Sequence, residues 1–183
     1  MKYKNKSNVI ALLWGFAEAT FFFIVPDVYI SYKAIKSIKI ALIVSLFSLI
    51  GAIIGGTLMY FLSNNTSIDL LKYMTFIPGI NDVYISQVNT DFSEHGVMAL
   101  FYGPKQGIPY KLYALLAPVY NIPYITFIII SVFARSLRFI LVAVIVSALS
   151  KILSKWISDK TKIVLLIVFW VIFYAIYYFT IYF

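Results

Sequence analysis

Long apolar runs separated by short lysine clusters set the pattern of this chain. The first run, Val9 to Val25, stops at Pro26-Asp27 and resumes as Val28 to Tyr32, before Lys33, Lys36 and Lys39. The second, Ile40 to Leu62, carries no charge. Its length, about 23 residues, crosses a bilayer with some tilt. A polar stretch follows, Ser63 to Gly96, with Asp69, Lys72, Asp82, Asp91 and Glu94. The third run, Val97 to Ala117, is broken at Gly103-Pro104-Lys105 and again at Pro109-Tyr110-Lys111. The fourth, Ile122 to Ser150, holds Arg135 and Arg138 near its middle. The linker Lys151 to Lys162 leads into a fifth run, Ile163 to Phe183.

Composition turns this pattern into a class. Of 183 residues, 62% are hydrophobic and 12% charged, and the mean hydropathy is +0.93. A soluble domain lies nearer ~45–50% apolar and ~25% charged. The chain therefore reads as an all-α integral membrane protein with room for one membrane domain. Its 15 basic and 7 acidic residues give +8, yet the lysines fall in connectors, as the positive-inside rule describes, and do not form a nucleic-acid footprint. Lys2, Lys4 and Lys6 precede the first run, but no small-residue cleavage site follows it, so no cleavable signal peptide is expected.

Loop charge selects a topology. Lysine triplets flank the first run on both sides, the 63–96 stretch is net acidic and the 151–162 linker net basic. If the first run enters and leaves on one face, both triplets are cytoplasmic; if the third does the same from the acidic side, the charge rule holds throughout. The expected architecture is two inverted repeats, each a re-entrant helical hairpin followed by a spanning helix, plus one extra C-terminal transmembrane helix. Residues 1–150 form the membrane domain, with hairpin 9–32, transmembrane helix 40–62, outer loop 63–96, hairpin 97–119 and transmembrane helix 122–150. A cytoplasmic linker, 151–162, and a C-terminal transmembrane helix, 163–183, complete it. The N-terminus is cytoplasmic and the C-terminus external on this reading. The last helix is expected at the lipid boundary, with Tyr174, Tyr177, Tyr178 and Tyr182 in an interfacial aromatic belt. Proline-broken helices that meet near the midplane are a recurring transporter architecture. Irregular backbone at that depth persists only inside protein or beside a water-filled cavity.

Five charges sit where lipid should not tolerate them: Glu18, Asp27, Lys111, Arg135 and Arg138. Each costs at least about 2.5–3.5 kcal/mol at the bilayer centre, so such residues face one another, water or a substrate. The first half supplies acids and the second bases. If the hairpin tips meet at Pro26 and Pro109, opposite charges converge in a poorly solvated site suited to taking up and releasing a proton. Fixed ion pairs that hold the hairpins together are the alternative. Arg135 and Arg138, three apart on one helix, share a face and suit bidentate recognition of phosphate or carboxylate; a clamp on Glu18 or Asp27 is their other reading. Lys105 is expected to snorkel to the interface.

Smaller features fill in the rest. Gly51-x3-Gly55 permits close helix packing, more in keeping with contact to the hairpin than with a substrate role. His95, beside Gly96, suits a turn or cap. Ile68, Leu71, Tyr73, Met74, Phe76 and Ile77 suggest a surface-lying amphipathic segment ending at Pro78-Gly79. With no cysteine and one histidine, metal centres, thiol chemistry and histidine-dependent catalysis are hard to build, and His-Glu-x-x-His is absent. An enzyme, a metal and a cofactor are not expected.

The segment Gly15-Phe16-Ala17-Glu18-Ala19-Thr20-Phe21-Phe22-Phe23-Ile24-Val25-Pro26-Asp27-Val28 resembles the first hairpin of the DedA family, also called the VTT or SNARE-associated domain. Gly51-x3-Gly55-x4-Tyr60, Phe92-x2-His95-Gly96, Ile108-Pro109-Tyr110-Lys111 and Arg135-x2-Arg138-Phe139 are similar to its later signatures, in the same order. The chain departs from the family pattern at Val25 and Gly107, where proline is usual, and at Pro118, where glycine is. The resemblance covers about residues 8–150. It implies a flippase or scramblase that moves phospholipid or polyprenyl-phosphate carriers across a bacterial inner membrane, coupled to protons or sodium. It also implies that Glu18 and Asp27 are coupling acids, and that Lys111, Arg135 and Arg138 bind the headgroup. The partners expected are membrane lipids, with an anionic headgroup as substrate and no nucleic acid; a homodimer is compatible with this. A small-solute or ion transporter and a non-transporting membrane assembly factor are the rival readings.

Overall fold

The computed structural model describes the backbone of residues 2–65 and 70–182, with side chains over 6–63, 70–103 and 106–181. Ile68 and Asp69, and the side chain of Lys105 with its expected snorkelling, lie outside the described residues. Among those described the chain is entirely helical apart from its turns. In order come α1 (Lys2–Glu18), α2 (Asp27–Lys36), α3 (Ile38–Asn65), α4 (Leu70–Met74), α5 (Asp82–His95), a 3-10 segment (Gly96–Phe101), α6 (Gly103–Gln106), α7 (Tyr110–Leu116), α8 (Tyr124–Leu153) and α9 (Asp159–Tyr182). Three of them, α3, α8 and α9, are long and apolar enough to cross a membrane, and they point to a membrane protein.

The basic N-terminal residues do not flank a helix; α1 begins at Lys2 and ends at Glu18. The chain then doubles back along it. Phe22 packs edge-on against Trp14, Tyr29 stacks on the same indole, and the hydroxyls of Tyr29 and Ser7 are 2.8 Å apart. Next, α3 runs beside α1 in a close backbone contact. A Cβ on Gly51 would sit 2.8 Å from the carbonyl carbon of Leu12, and one on Gly55 would sit 2.8 Å from the carbonyl oxygen of Phe16. No side chain larger than hydrogen fits between the two helices there.

Against α3 lies α8, antiparallel to it. Tyr60 donates to the carbonyl of Ile122 at 2.7 Å and stacks on Phe127 near one end. Ala41, Val44, Phe139 and Ala143 pack together nearer the other. The short α7 is buried along its whole length among α3, α5 and α8.

The polar stretch 63–96 holds more order than its composition implies. Asn81 caps α5 by accepting from the Tyr84 amide at 2.9 Å, and Gly96 closes it at φ +54°, a conformation that glycine adopts without steric cost. Val88 and Phe92 turn inward. Asp91, expected in an outer loop, is buried and accepts from Tyr113 of α7 at 2.5 Å and from Gln87 at 3.0 Å. His95 is the last residue of α5 and stacks on Tyr102.

The linker is also shorter than its charge suggests, because α9 starts at Asp159. Lys162 is buried, its ammonium donating to Ser154 and Asp159 at 2.6 Å and to Ser150 at 3.3 Å. Ser150 in turn donates to the carbonyl of Ile35 at 2.9 Å. This knot ties together the ends of α2 and α8 and the start of α9.

Candidate functional site

Two interruptions of helix organise the site. At the first, Thr20 bonds back to the carbonyls of Phe16 and Ala17 at 2.9 and 3.1 Å, closing α1. The irregular backbone beyond it finds partners in side chains from three helices. The carbonyl of Ile24 accepts from the Trp14 indole at 2.9 Å, that of Phe22 accepts from the Lys111 ammonium at 2.8 Å, and the Val25 amide donates to the Tyr174 hydroxyl at 2.9 Å. Irregular backbone away from water requires such partners. Pro26, with no N–H to leave orphaned, then starts α2 and puts Asp27 in its first turn.

The second interruption uses the same chemistry. Gly107 takes φ +73° and ends α6, and Pro109 extends the chain into α7, which opens with Tyr110 and Lys111. The two breaks meet through the Lys111 to Phe22 bond. They also meet across α8, where both arginines point towards the first break.

There the charges pair off. Arg135 donates to Glu18, and Arg138 donates to Asp27 at 2.5 Å. Glu18, Asp27, Lys111 and Arg135 are 3%, 1%, 1% and 6% exposed, so the cluster is taken out of solvent almost completely. Arg138 keeps about a third of its side chain exposed at 32%. The two arginines share a helix face, as their spacing requires, yet each selects a different acid. The Arg135 guanidinium also lies 4.3 Å from the centre of the Tyr110 ring and 5.2 Å from that of Phe139, the arrangement of a cation–π contact.

Three features distinguish this cluster from two isolated ion pairs. Among the described residues, the Lys111 ammonium has no carboxylate within salt-bridge distance, so three cations face two carboxylates and the cluster carries a surplus positive charge. Asp27 Oδ1 and Arg135 Nε are buried without a hydrogen-bond partner in the protein, an unmet capacity that well-packed interiors seldom leave. Beside the pairs lies a cavity of about 90 Å³, lined by Glu18, Lys111, Arg138, Ile108 and Tyr174 among others. Three charged residues of the set thus border one space.

Sequence reasoning gave Tyr110, Tyr174 and Tyr177 no place in the site. Tyr110 was quoted within its motif, but only its neighbours Pro109 and Lys111 were given roles. Tyr174 and Tyr177, assigned above to a lipid-facing belt, instead wall the cavity together with Phe173. The available signal is the stripe Ile163, Ile167, Trp170, Tyr174 and Tyr177, whose 4-3-4-3 spacing marks one face of α9. Gly51 and Gly55 lie at the α1–α3 contact, away from the cavity lining. Among the described residues no group of three or more His, Cys, Asp or Glu side chains could hold a metal ion.

No family model and no solved structure matches the chain. It is similar to a protein of Haemophilus influenzae described as uncharacterized, with 29% identity over 137 residues that cover 73% of this chain and 70% of that protein.

Proposed function

We propose that this chain is a small membrane transporter of the DedA type that carries an anionic lipid, a phospholipid or a polyprenyl phosphate, across a bacterial inner membrane with proton or sodium coupling. The observation that carries the reading is a cavity at two helix breaks lined by Glu18, Lys111 and Arg138, with Arg135 and Asp27 paired to two of these from behind the wall. An anionic headgroup that enters this cavity meets Arg138 and Lys111 in its wall and competes with the carboxylates for the guanidinium groups. Proton or ion uptake by Glu18 and Asp27 releases the arginines to the substrate; its loss restores the pairs and expels the headgroup. The site therefore resets through its own ion pairs.

The architecture proposed with it has two inverted halves. In the first, Pro26 precedes α2 and then the long α3; in the second, Pro109 precedes α7 and then the long α8. Each break is a re-entrant tip on this reading, and α9 is an added span. Three full crossings with a cytoplasmic N-terminus leave the C-terminus outside.

Lipid scrambling in proteoliposomes, with fluorescent phospholipid and polyprenyl-phosphate probes at two pH values, tests the function. Wild-type protein is expected to move at least one probe. Glu18→Gln and Arg135→Ala are expected to lose that transport by about tenfold or more, the loss in rate for each 1.4 kcal/mol of missing interaction. Absence of wild-type transport with every probe overturns the proposal. Since each arginine already has a carboxylate partner, the assembly-factor reading has an observation behind it. The swap Asp27→Arg with Arg138→Asp separates the two: full function in the swapped protein indicates a fastener, and a folded but inactive protein indicates a site.

A further inference from the structure

The C-terminal helix is attached in an unusual way. Nothing in the most apolar stretch of α9 is buried in the protein, and apolar grooves run along both of its flanks. One, of about 320 Å³, lies between α2, α8 and α9, bordered by Ile35, Leu149 and Phe169. The other, of about 300 Å³, lies between α1, α2 and α9, bordered by Trp14, Tyr29 and Ile167. Voids beside a helix forfeit dispersion contacts, so the middle of α9 is weakly held.

Its two ends are held by polar contacts. At the start is the Lys162 knot, with three oxygen acceptors around a buried ammonium. Towards the other end, Tyr174 accepts from the Val25 amide in the first break at 2.9 Å. Tyr177 places its hydroxyl 3.2 Å from the carbonyl of Gly79 and 3.3 Å from that of Gly107 in the second break. Phe23 packs edge-on between Tyr174 and Tyr178. The same two tyrosines that touch the breaks wall the charged cavity.

We infer that α9 is a hinged gate on the charged cavity, anchored at the Lys162 knot and latched shut by the hydroxyls of Tyr174 and Tyr177. A helix fixed along its length by close packing would move only with the core. This one has a firm pivot, a loose middle and a latch in which two tyrosine hydroxyls bond the backbone of Val25, Gly79 and Gly107, with a long Asn81 contact to the Ile181 carbonyl at 3.5 Å beyond them. Releasing the latch swings the tyrosine end outward and opens the cavity to its flank. Tyr174 and Tyr177 are positioning residues in this scheme: they act on the breaks that present Asp27 and Lys111. The gate stands on the cavity and the attachment of α9 alone, so its test reads out without any transported substrate and can fail independently of the transport reading.

The chain has no cysteine, which permits a clean test with the full protein in lipid vesicles. The Ile108→Cys variant places one thiol in the cavity lining, and its alkylation by N-ethylmaleimide reports access. Adding Tyr174→Phe and Tyr177→Phe is expected to raise that rate about tenfold or more, the shift produced by losing the hydroxyl hydrogen bonds of both tyrosines. Ala143→Cys, buried in the α2–α3–α8 core, serves as the control and keeps its slow rate. Spin labels at Val83→Cys and Ile176→Cys, both exposed, are expected to gain a longer-distance population in the double phenylalanine variant. An unchanged Ile108→Cys rate overturns the gate. So does a parallel rise at Ala143→Cys, which indicates general loosening, and so does faster alkylation without a change in the spin-label distance, which indicates an opening elsewhere.

Discussion

Arg135 carries more of the site than any neighbour: it pairs with Glu18, spans the faces of Tyr110 and Phe139, and keeps Nε unsatisfied. Removing one member of a buried ion pair strands the other charge, at about 3–5 kcal/mol. Arg135→Ala is therefore expected to lower the unfolding free energy in detergent micelles by that amount. Glu18→Leu with Arg135→Met is expected to lie much closer to wild type, because a buried pair replaced by apolar groups of similar volume costs little. Denaturant titration followed by tryptophan fluorescence measures both. The five charges could be picked out of the sequence because each is expensive in an apolar run. Their partners could not be. Glu18 and Arg135 are 117 residues apart and Asp27 and Arg138 are 111, and no local spacing states which acid either arginine meets. Tyr110 received no site role for a different reason: as one of 15 tyrosines, its burial rather than its chemistry sets it apart.

At the scale of elements, the α1–α3 contact gives the sharpest expectation. Both backbones touch at Gly51, so Gly51→Leu must push the helices apart. Overpacking of this kind costs about 1–3 kcal/mol or more, whereas Ile54→Leu, on an exposed position of the same helix, is expected to stay within about 0.5 kcal/mol. Thermal unfolding of the two variants side by side checks the difference. The long apolar helices were legible because unbroken apolar length is a strong signal, although their ends were not: α3 and α9 each begin before their apolar run does. The helix α5 was hidden by its polarity, with Asn81 and Gly96 as the overlooked start and stop signals. Its Asp91 reads as a solvated loop acid until Tyr113, on another element, supplies the partner that buries it.

For the whole molecule, the proposed topology makes a directional claim. In right-side-out vesicles, a membrane-impermeant maleimide is expected to label Val83→Cys, at an exposed position of α5, from outside. Lys155→Cys, in the turn between α8 and α9, is expected to react only after the membrane is opened. Labelling of both from one side refutes the inverted arrangement. The grouping of lysines is the sequence feature from which this topology is proposed. The place of α9 beside the cavity was not readable, since an aromatic stripe facing lipid and one facing a cavity have the same spacing. Only the breaks at Val25 and Gly107, brought together in three dimensions, distinguish them.

The sequence separation of the ion pairs also bears on how the protein is made. Both carboxylates leave the ribosome more than a hundred residues ahead of their arginines. At synthesis rates of ~5–20 residues per second they wait roughly 5–20 s without partners. During that time α1 and α2 have no countercharge to accompany them into hydrocarbon. On the proposed architecture, α1 and α2 linger at the membrane surface, or are sheltered by the insertion machinery, until α8 arrives. The expectation is that integration of the N-terminal segment waits on α8, encoded in the last third of the gene.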